Sequence, residues 1–407
     1  MIAFHFPPLA GSSGIQRTLR FVQQLPAHGW EPVVLSVTPC AYEQTRNDLL
    51  DDIPASTRVV RAPGLDTARH LAIKGKYPGF LARPDRWMSW WPGAVFGGLR
   101  LIRELKPAAI WSTFPIATAH QIGSTLSRLS RLPWIADFRD PMAQDGYPSD
   151  PKLWRSYQRV EARAIIQARF SVCTTPSAAR SYRTRYPARA NEIVVIENGY
   201  DEASFADCVP QGPLIPTKVV LLHSGIVYPS ERDPSELLRA LRLLVDSGTI
   251  DATNFCVRFR APIATELIET LARRYEVRDL IEILPAVDYR IALSEMLSAD
   301  GLLLLQAANC NEQIPAKLYE YLRARRPILA LTDTRGDTAE VLRRAGIEPL
   351  APLDEAPKIA AALALFLQQR ATQSVLLPTE HAITGAARTS RTRELAELLN
   401  RAVGQPS

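Results

Sequence analysis

This sequence has no long apolar run and no paired cysteines, and it contains few lysines. None of its apolar runs reaches the roughly 18 residues of a membrane-spanning helix, so no such helix is predicted. Its five cysteines are scattered and form no C-x-x-C pair, which argues against a disulfide framework and a zinc site and favours a reducing compartment. The first residues lack the basic region of a secretory signal, so the cytoplasm is the predicted location.

Lysine is scarce, since only 7 of the 48 basic residues are lysines and the others are arginines. The formal net charge is +6, but the arginines are spread along the chain and form no basic stripe. A nucleic-acid partner is therefore not expected, because nucleic-acid binding requires clustered positive charge. Attraction to the anionic inner face of the cell membrane remains an open alternative.

Strands and helices alternate along the whole sequence, which predicts an α/β fold with parallel sheets. The first series occupies residues 1–208, and a proline-rich linker at 209–218 follows it. The second series occupies residues 209–384, and a C-terminal helix at 385–407 is expected to complete the first domain. The prediction is two Rossmann-like, doubly wound domains that face each other across a cleft, which is a common place for a ligand.

The segment "FPPLAGSSGIQR" lies between the first predicted strand and the first predicted helix. Gly11 and Gly14 permit a tight turn and a close approach of the backbone to a ligand, and they precede a helix N-terminus, where N–H groups bind phosphate. The spacing is not G-x-G-x-x-G, so the dinucleotide-binding fingerprint is not met. On its own, the segment also fits an ordinary turn between a strand and a helix.

The segment "NEQIPAKLYEYLRARRPILAL" follows a predicted strand at about 301–306. A helix is predicted from about Pro315 to Arg325, because proline suits the first turn of a helix, and another strand follows it. Lys317 and Glu320 lie three residues apart on one face of this helix. They form either an ordinary surface pair or, at the carboxyl end of a parallel sheet, part of a site for a phosphorylated ligand.

The segment "HSGIVYPSERDPSELLRAL" opens the second domain in a similar way. Gly225 ends a strand, and Arg232 precedes a helix that is predicted to begin near Pro234. Because the strand ends of one sheet converge, Arg232 can reach the same space as Lys317. The alternative is a charge in a surface loop.

Together these segments resemble the retaining glycosyltransferases of family 4, the group 1 glycosyltransferases, which have the GT-B fold. The resemblance covers nearly the whole chain. It also rests on "STFPIATAH" at 112–120, "PWIADFRDP" at 133–141 and "ENGYD" at 197–201. The combination of segments carries it, since none of them is specific alone.

The resemblance implies a site for a nucleotide sugar. Glu320 would hydrogen-bond the ribose, since a carboxylate suits a diol by accepting two hydrogen bonds, and Glu312 would lie near the sugar. Arg232 stands where the family usually has a diphosphate-binding lysine, and Lys317 would add a second cation beside the leaving diphosphate. The other residues assigned to donor binding are Gly11, Gly14, Gly225, Pro285, Ile314, Pro315, Ala316 and Leu318.

The resemblance also assigns roles to residues of the first domain. Arg139 would contact the donor phosphate or sugar, and Asp140 would orient an acceptor hydroxyl, so both are placed with the catalytic residues. His120 and Asp137 are assigned to the acceptor side. The alternatives are an internal network of ion pairs around Asp137, Arg139 and Asp140, and a buried structural role for His120.

The sequence departs from the family pattern at two places near the donor site. Ile226 follows Gly225 where relatives often have an arginine, and Gln313–Ile314–Pro315 replace a glycine-rich turn after Glu312. No D-x-D triplet occurs, so the metal-held diphosphate of the other main glycosyltransferase fold is not expected. Cationic side chains and helix ends would take the place of the metal, and no cofactor is expected.

The predicted activity is the transfer of a hexose from a UDP- or GDP-sugar to a hydroxyl, with retention of the anomeric configuration. By analogy with the family, the acceptor would be a lipid-linked glycan in bacterial surface polysaccharide synthesis. Two alternatives stay open. One is a nucleotide-sugar epimerase of the same fold, and the other is a non-catalytic scaffold in a polysaccharide assembly complex.

Tryptophans are concentrated at Trp87, Trp90 and Trp91, close to Phe96 and between arginines. One interpretation is that they pack under the sheet of the first domain. The other is a peripheral membrane contact, because indole rings favour the headgroup level and arginines suit anionic lipid.

Overall fold

The computed structural model describes residues 1–12, 14–144, 146–348 and 350–404. The chain divides into two compact units. Unit 1 consists of Met1–Glu197 together with Arg388–Ser407, and unit 2 consists of Asn198–Ala387. The α/β class with parallel sheets is confirmed in both units. Among the described residues, no helix is long and apolar enough to cross a membrane.

The described strands are β1 (Val34–Val37), β2 (Val59–Ala62), β3 (Ile110–Thr113), β4 (Trp134–Arg139), β5 (Phe170–Cys173), β6 (Ile193–Val195), β7 (Val219–Ser224), β8 (Phe255–Arg260), β9 (Ile281–Leu284), β10 (Gly301–Leu305), β11 (Ile328–Leu331) and β12 (Leu350–Ala351). The described α-helices are α1 (Gly14–Gln24), α2 (Thr67–His70), α3 (Trp90–Leu105), α4 (Ala117–Ser130), α5 (Pro151–Gln167), α6 (Pro176–Arg185), α7 (Glu202–Phe205), α8 (Pro229–Arg232), α9 (Ser235–Asp246), α10 (Thr265–Arg274), α11 (Tyr289–Ser298), α12 (Lys317–Ala324), α13 (Asp337–Arg344), α14 (Ala356–Ala371), α15 (Glu380–Gly385) and α16 (Arg388–Val403).

Unit 1 contains a four-stranded parallel sheet in the order β3-β4-β5-β6, and a parallel pair of β1 and β2. Ile2 links the two groups, because it bridges Leu35 of β1 and Ser112 of β3. The sequence predicts a longer first strand here. The chain instead bends at Phe4 and His5, so the pairing is confined to this short stretch.

Unit 2 contains a six-stranded parallel sheet in the order β12-β11-β10-β7-β8-β9. The central strand β10 is completely buried, and its leucines alternate between two apolar clusters on opposite faces of the sheet. Leu303 belongs to one cluster and Leu304 to the other, and burial of each side chain stabilises the fold by roughly 2 kcal/mol. A continuous apolar run is what a strand buried on both faces requires.

The boundary between the units lies before the predicted one at 208/209. The segment 198–208 is not part of the first domain, because Tyr200, Phe205 and Cys208 pack in an apolar cluster of unit 2. The C-terminal helix α16 lies in unit 1, where Leu395 and Leu399 pack in the same cluster as β4 and β5 residues.

The helix α12 is shorter than the sequence predicts. It begins at Lys317, and Pro315 forms a turn just before it, since its carbonyl accepts a hydrogen bond from the Leu318 amide at 2.9 Å. The helix ends at Ala324, because Arg325 adopts a left-handed conformation with φ of +54°. Lys317 is thus placed in the first turn, where the helix dipole is positive.

Candidate functional site

The carboxyl end of β7 is shaped by Gly225. This residue has φ of +113°, a conformation that side chains rarely adopt. A Cβ atom at this position would lie 3.1 Å from the Nζ atom of Lys317. The absence of a side chain at Gly225 therefore leaves room for the amine of Lys317 beside the strand end.

Lys317 is half-buried, and its amine contacts a second titratable group. Its Nζ lies 3.2 Å from Nε2 of His223, a completely buried residue of β7. Burial, and then the positive charge of Arg232, lower the pKa of Lys317 to about 7, and Glu320 opposes the shift. An amine with this pKa gains its full charge when an anion binds next to it.

Arg232 is the second cation of this cluster, and it ends the short helix α8. Its Nη1 donates to the carbonyl oxygen of Ile226 at 2.8 Å, and its guanidinium lies 5.3 Å from the ring centre of Tyr228. Both contacts come from the loop after β7. They fix the guanidinium in this loop, and its positive charge lowers the pKa of Lys317.

Glu320 lies one turn after Lys317 on α12. Its carboxylate accepts a hydrogen bond from the hydroxyl of Tyr289 at 2.6 Å. Tyr289 is the first residue of α11, which follows β9. The structure therefore brings Arg232, Lys317 and Glu320 to one edge of the unit 2 sheet, as the sequence predicts.

The loop between β10 and α12 carries the other predicted donor residues. Gln306 fixes this loop, because its Nε2 donates to the carbonyl oxygens of Cys310 and Gln313, each at 2.8 Å. Glu312 is exposed on the turn, next to the segment that Gln306 holds. Its position relative to a sugar stays a prediction.

Two of the predicted donor residues turn their side chains away from solvent. Ile314 and Leu318 pack in an apolar cluster of unit 2, so only their backbone atoms can face a ligand. Ala316 is exposed, and Pro315 is half-buried. Pro285 is exposed after β9, and its carbonyl oxygen accepts a hydrogen bond from Arg260 Nη1 at 2.8 Å.

Unit 1 has its own polar cluster at the N-terminus of α1. Arg139 ends β4 with φ of +58°, and its Nη1 donates to the carbonyl oxygen of Gly14 at 3.1 Å. A Cβ atom at Gly14 would lie 2.4 Å from Nδ1 of His5 and 2.6 Å from Nη1 of Arg139, so a side chain here would force His5 and Arg139 to move. Burial, and then the charge of Arg139, lowers the pKa of His5 to about 3. Arg139 thus lies beside the predicted glycine loop that precedes α1. Gly11 belongs to the same loop and has a positive φ of +77°.

Asp137 lies in an internal ion pair. Its carboxylate accepts two hydrogen bonds from Arg17, at 2.8 and 3.0 Å, and one from the Thr113 hydroxyl at 3.3 Å. Arg17 also donates to the carbonyl oxygens of Ile196 and Glu197, both at 3.0 Å. This geometry favours the internal-network alternative for Asp137. Asp140 is exposed at the end of β4 and remains available to a ligand.

His120 is completely buried in unit 1. Its Nδ1 lies 2.8 Å from the Ser112 hydroxyl, and its ring packs against Trp134 and Phe138. Burial lowers its pKa to about 3. These contacts favour the structural alternative that the sequence leaves open for this histidine.

The tryptophans of segment 83–106 belong to the core of unit 1. Trp90 is completely buried, and Trp87 and Trp91 are partly buried against the same cluster. The ring N–H groups of Trp87 and Trp91 are bonded inside the unit, to the Ala41 carbonyl and to the Thr125 hydroxyl respectively, each at 3.1 Å. The packing interpretation therefore describes these three residues.

Residues 13–199 match the family described as "Glycosyl transferase 4-like domain". This segment is a glycosyl transferase 4-like domain. The predicted resemblance to the group 1 glycosyltransferases is thereby confirmed over this segment, whereas retention is not tested. No protein with a curated description matches this chain in sequence.

Solved structures confirm the predicted GT-B fold over nearly the whole length of this chain. Anabaena Alr3699/HepE in complex with UDP and glucose is 14% identical, with 98% of this chain and 99% of that chain covered and a TM-score of 0.64. WaaG, a glycosyltransferase involved in lipopolysaccharide biosynthesis, is 12% identical, with 98% and 99% covered and a TM-score of 0.62. A UDP-N-acetylglucosamine 2-epimerase is 13% identical, with 100% and 97% covered and a TM-score of 0.56. At these identities the likeness establishes the fold alone.

Two residues near the candidate donor site are not identified by the sequence analysis. His223 is a titratable residue that follows four apolar residues in its strand, and that contrast is a signal that could have identified it. Tyr289 carries no such signal. Its contact with Glu320 depends on how α11 and α12 pack in unit 2.

Proposed function

We propose that the protein transfers a hexose from a UDP- or GDP-sugar to a hydroxyl acceptor, with retention of the anomeric configuration. The observation that carries the proposal is the convergence of two cations, Arg232 and Lys317, at the Gly225 strand end, with Glu320 one turn further along α12. A diphosphate needs the cations, and a ribose diol suits the carboxylate. HepE, which shares the fold, was solved with UDP and glucose.

The proposed chemistry uses the charge that develops on the leaving diphosphate. As the bond between the anomeric carbon and the diphosphate oxygen breaks, Arg232, Lys317 and the N-terminus of α12 stabilise the negative charge. The acceptor oxygen bonds to the same face of the sugar, and its proton passes to an oxygen of the leaving diphosphate. Glu312 is proposed to orient the sugar, and Asp140 is proposed to orient the acceptor hydroxyl. Arg139 is proposed to contact the donor.

We propose that this reaction needs no metal ion. The two cationic side chains would supply the charge compensation that a divalent metal supplies elsewhere. Activity should therefore survive EDTA. Loss of activity on chelation, with recovery on addition of Mg²⁺ or Mn²⁺, would contradict this.

The proposed acceptor is a lipid-linked glycan of a bacterial surface polysaccharide. WaaG, which shares the fold, is involved in lipopolysaccharide biosynthesis. Such an acceptor would require contact with an anionic membrane surface. We propose that the outer face of α3 makes this contact, because Phe96 is 77% exposed and Arg100 and Arg103 are also exposed.

Liposome sedimentation tests the membrane contact. The protein should bind vesicles that contain anionic lipid at low salt and should be released at high salt, because exposed charges are screened. A Phe96→Ser/Arg100→Ser/Arg103→Ser variant should bind more weakly. Wild-type protein that stays in the supernatant at low salt would exclude a peripheral contact through this face.

Two rival functions, a nucleotide-sugar epimerase and a non-catalytic scaffold, are compatible with this fold. The 2-epimerase is an example of the first. An epimerase would change the sugar without releasing nucleotide to an acceptor, and a scaffold would turn over no sugar nucleotide. The test is nucleotide release from a panel of UDP- and GDP-sugars, with and without bacterial membrane extract. Release that depends on the extract supports the transferase.

Four variants test the assignment of the diphosphate site in this nucleotide-release assay. Arg232→Ala and Lys317→Ala should each lower kcat/KM by at least ~10²-fold, because each removes charge from the diphosphate site. Arg239→Ala and Lys358→Ala, which remove exposed cations from other helices of unit 2, are the matched controls and should retain activity. Equal activities in all four variants would contradict the placement of the donor.

A further inference from the structure

The contacts of His223 indicate which of its ring nitrogens carries the proton. Its Nδ1 lies 3.0 Å from the carbonyl oxygen of Leu303, and a carbonyl oxygen can only accept, so Nδ1 carries the proton and donates it. The other ring nitrogen, Nε2, therefore carries a lone pair. It lies 3.2 Å from Nζ of Lys317, so the amine of Lys317 donates to it.

His223 also stays neutral. It is completely buried in β7, and burial lowers its pKa well below the usual value, with the positive charge of Lys317 adding to the effect. A histidine held in this way is a permanent hydrogen-bond acceptor for the amine. It does not compete with Lys317 for the proton.

We propose that His223 is a positioning residue that holds the amine of Lys317 beside Gly225 and so sets the pH range over which the protein binds a nucleoside diphosphate. The inference rests on the proposed function, because it assigns Lys317 to the diphosphate. His223 itself does not reach the ligand in this proposal. It acts through Lys317.

The charged and titratable groups around Lys317 define what His223 adds. Arg232 and burial both favour the neutral amine, whereas Glu320 favours the ammonium. Tyr321 lies behind the same strand end, and its hydroxyl accepts a hydrogen bond from the Ser224 amide at 3.0 Å. Nε2 of His223 also favours the ammonium, because an acceptor bonds a charged donor more strongly than a neutral one.

Loss of His223 should lower the pKa of Lys317, because it removes a group that favours the ammonium. Without the acceptor at Nε2, the pKa of Lys317 falls below its value of about 7. The amine is then neutral at physiological pH and attracts a diphosphate less. Loss of His223 should thus move the upper pH limit of nucleotide binding towards acid.

Three variants separate this role from a structural one. His223→Phe fills the space but offers no acceptor, whereas His223→Gln has an oxygen that can accept from Lys317. Tyr321→Phe removes a neighbouring buried hydroxyl that bonds Ser224 and is the matched control. His223→Asn, whose shorter amide can still donate to the Leu303 carbonyl oxygen but places no acceptor where Nε2 lies, replaces the Phe variant should that variant fail to fold.

The first measurement is the rate of acetylation of Lys317 as a function of pH, followed by mass spectrometry in the folded protein. In wild-type protein the rate should rise through about pH 7. In His223→Phe the midpoint should move by about one pH unit to lower pH, a tenfold change in the ionisation constant. His223→Gln and Tyr321→Phe should keep the wild-type midpoint.

The second measurement is UDP and GDP binding by calorimetry between pH 6 and 9 (about the range where Lys317 titrates). His223→Phe should bind about tenfold more weakly than wild type at the alkaline end, and His223→Gln should bind like wild type. An unshifted acetylation midpoint in His223→Phe, or an equal shift in Tyr321→Phe, would overturn the proposal. Acetylation needs no ligand, so failure of wild-type protein to bind either nucleotide would refute the proposed function and leave the acetylation curves to decide the role of His223.

Discussion

Replacing Gly225 with alanine should damage nucleotide binding more than it damages the fold. The backbone at Gly225 has φ of +113°, so a side chain there costs about 1–2 kcal/mol of folding free energy. The new Cβ would also lie 3.1 Å from Nζ and 3.6 Å from Cε of Lys317. The lysine tip is flexible and can move away at little cost, but it then leaves the place where a diphosphate would meet it.

Gly248→Ala is the matched control for this experiment. Gly248 also has a positive φ, +70°, but a Cβ there would meet nothing within 4 Å. Chemical denaturation should show a loss of about 1–2 kcal/mol in both variants. Calorimetry with UDP and GDP should show about tenfold weaker binding only in Gly225→Ala, part of the 1.5–3 kcal/mol that a charged hydrogen bond contributes. If both variants bind nucleotide as the wild type does, Lys317 does not act at this strand end.

Three further predictions concern charged residues. Glu320→Ala should weaken UDP or GDP binding by about 1–3 kcal/mol in calorimetry, whereas the exposed control Glu340→Ala should not, and equal affinities would exclude the ribose contact. Folding lowers the pKa of Lys317 from 10.5 to about 7, so the unfolded chain binds more protons than the folded one between these two pH values. The unfolding free energy of the wild type, minus that of Lys317→Met, should therefore rise from about pH 7 to pH 10. A flat difference in urea denaturation would contradict that shift. Arg17→Met should cost about 3–5 kcal/mol by leaving the Asp137 carboxylate buried and unpaired, and the double variant with Asp137→Leu should recover most of it; equal stabilities of the two would show that the pair is not coupled.

The fold could be predicted from the sequence because its parallel strands are buried on both faces. Apolar runs such as 301–305 and 328–331 identify such strands directly, and the turns between them follow from glycine and proline. The strand β2 was not predicted, because its residues are mostly half-buried and give no clear pattern. The boundary near residue 208 was misplaced, since a proline-rich composition does not reveal that Phe205 already packs in unit 2.

The candidate site was only partly predictable. Arg232, Lys317 and Glu320 lie at strand ends and helix starts, where the topology of a parallel sheet brings them together. Asp137 and His120 could not be assigned from the sequence, because a polar residue at a strand end or helix start can face either a ligand or the interior. Their partners, Arg17 and Ser112, are distant or inconspicuous in the sequence, and only the three-dimensional packing reveals them.

Unit 2 is a continuous segment inserted within unit 1, and this arrangement orders events during synthesis. The ribosome completes residues 198–387 before it makes α16, whose Leu395, Leu398 and Leu399 fill an apolar cluster of unit 1. Unit 1 therefore begins first but must wait for the last part of the chain, with the surface that α16 will cover exposed meanwhile. A nascent chain that stalls near residue 387 would carry a complete unit 2 and an unfinished unit 1, and such an unfinished unit is a substrate for chaperones.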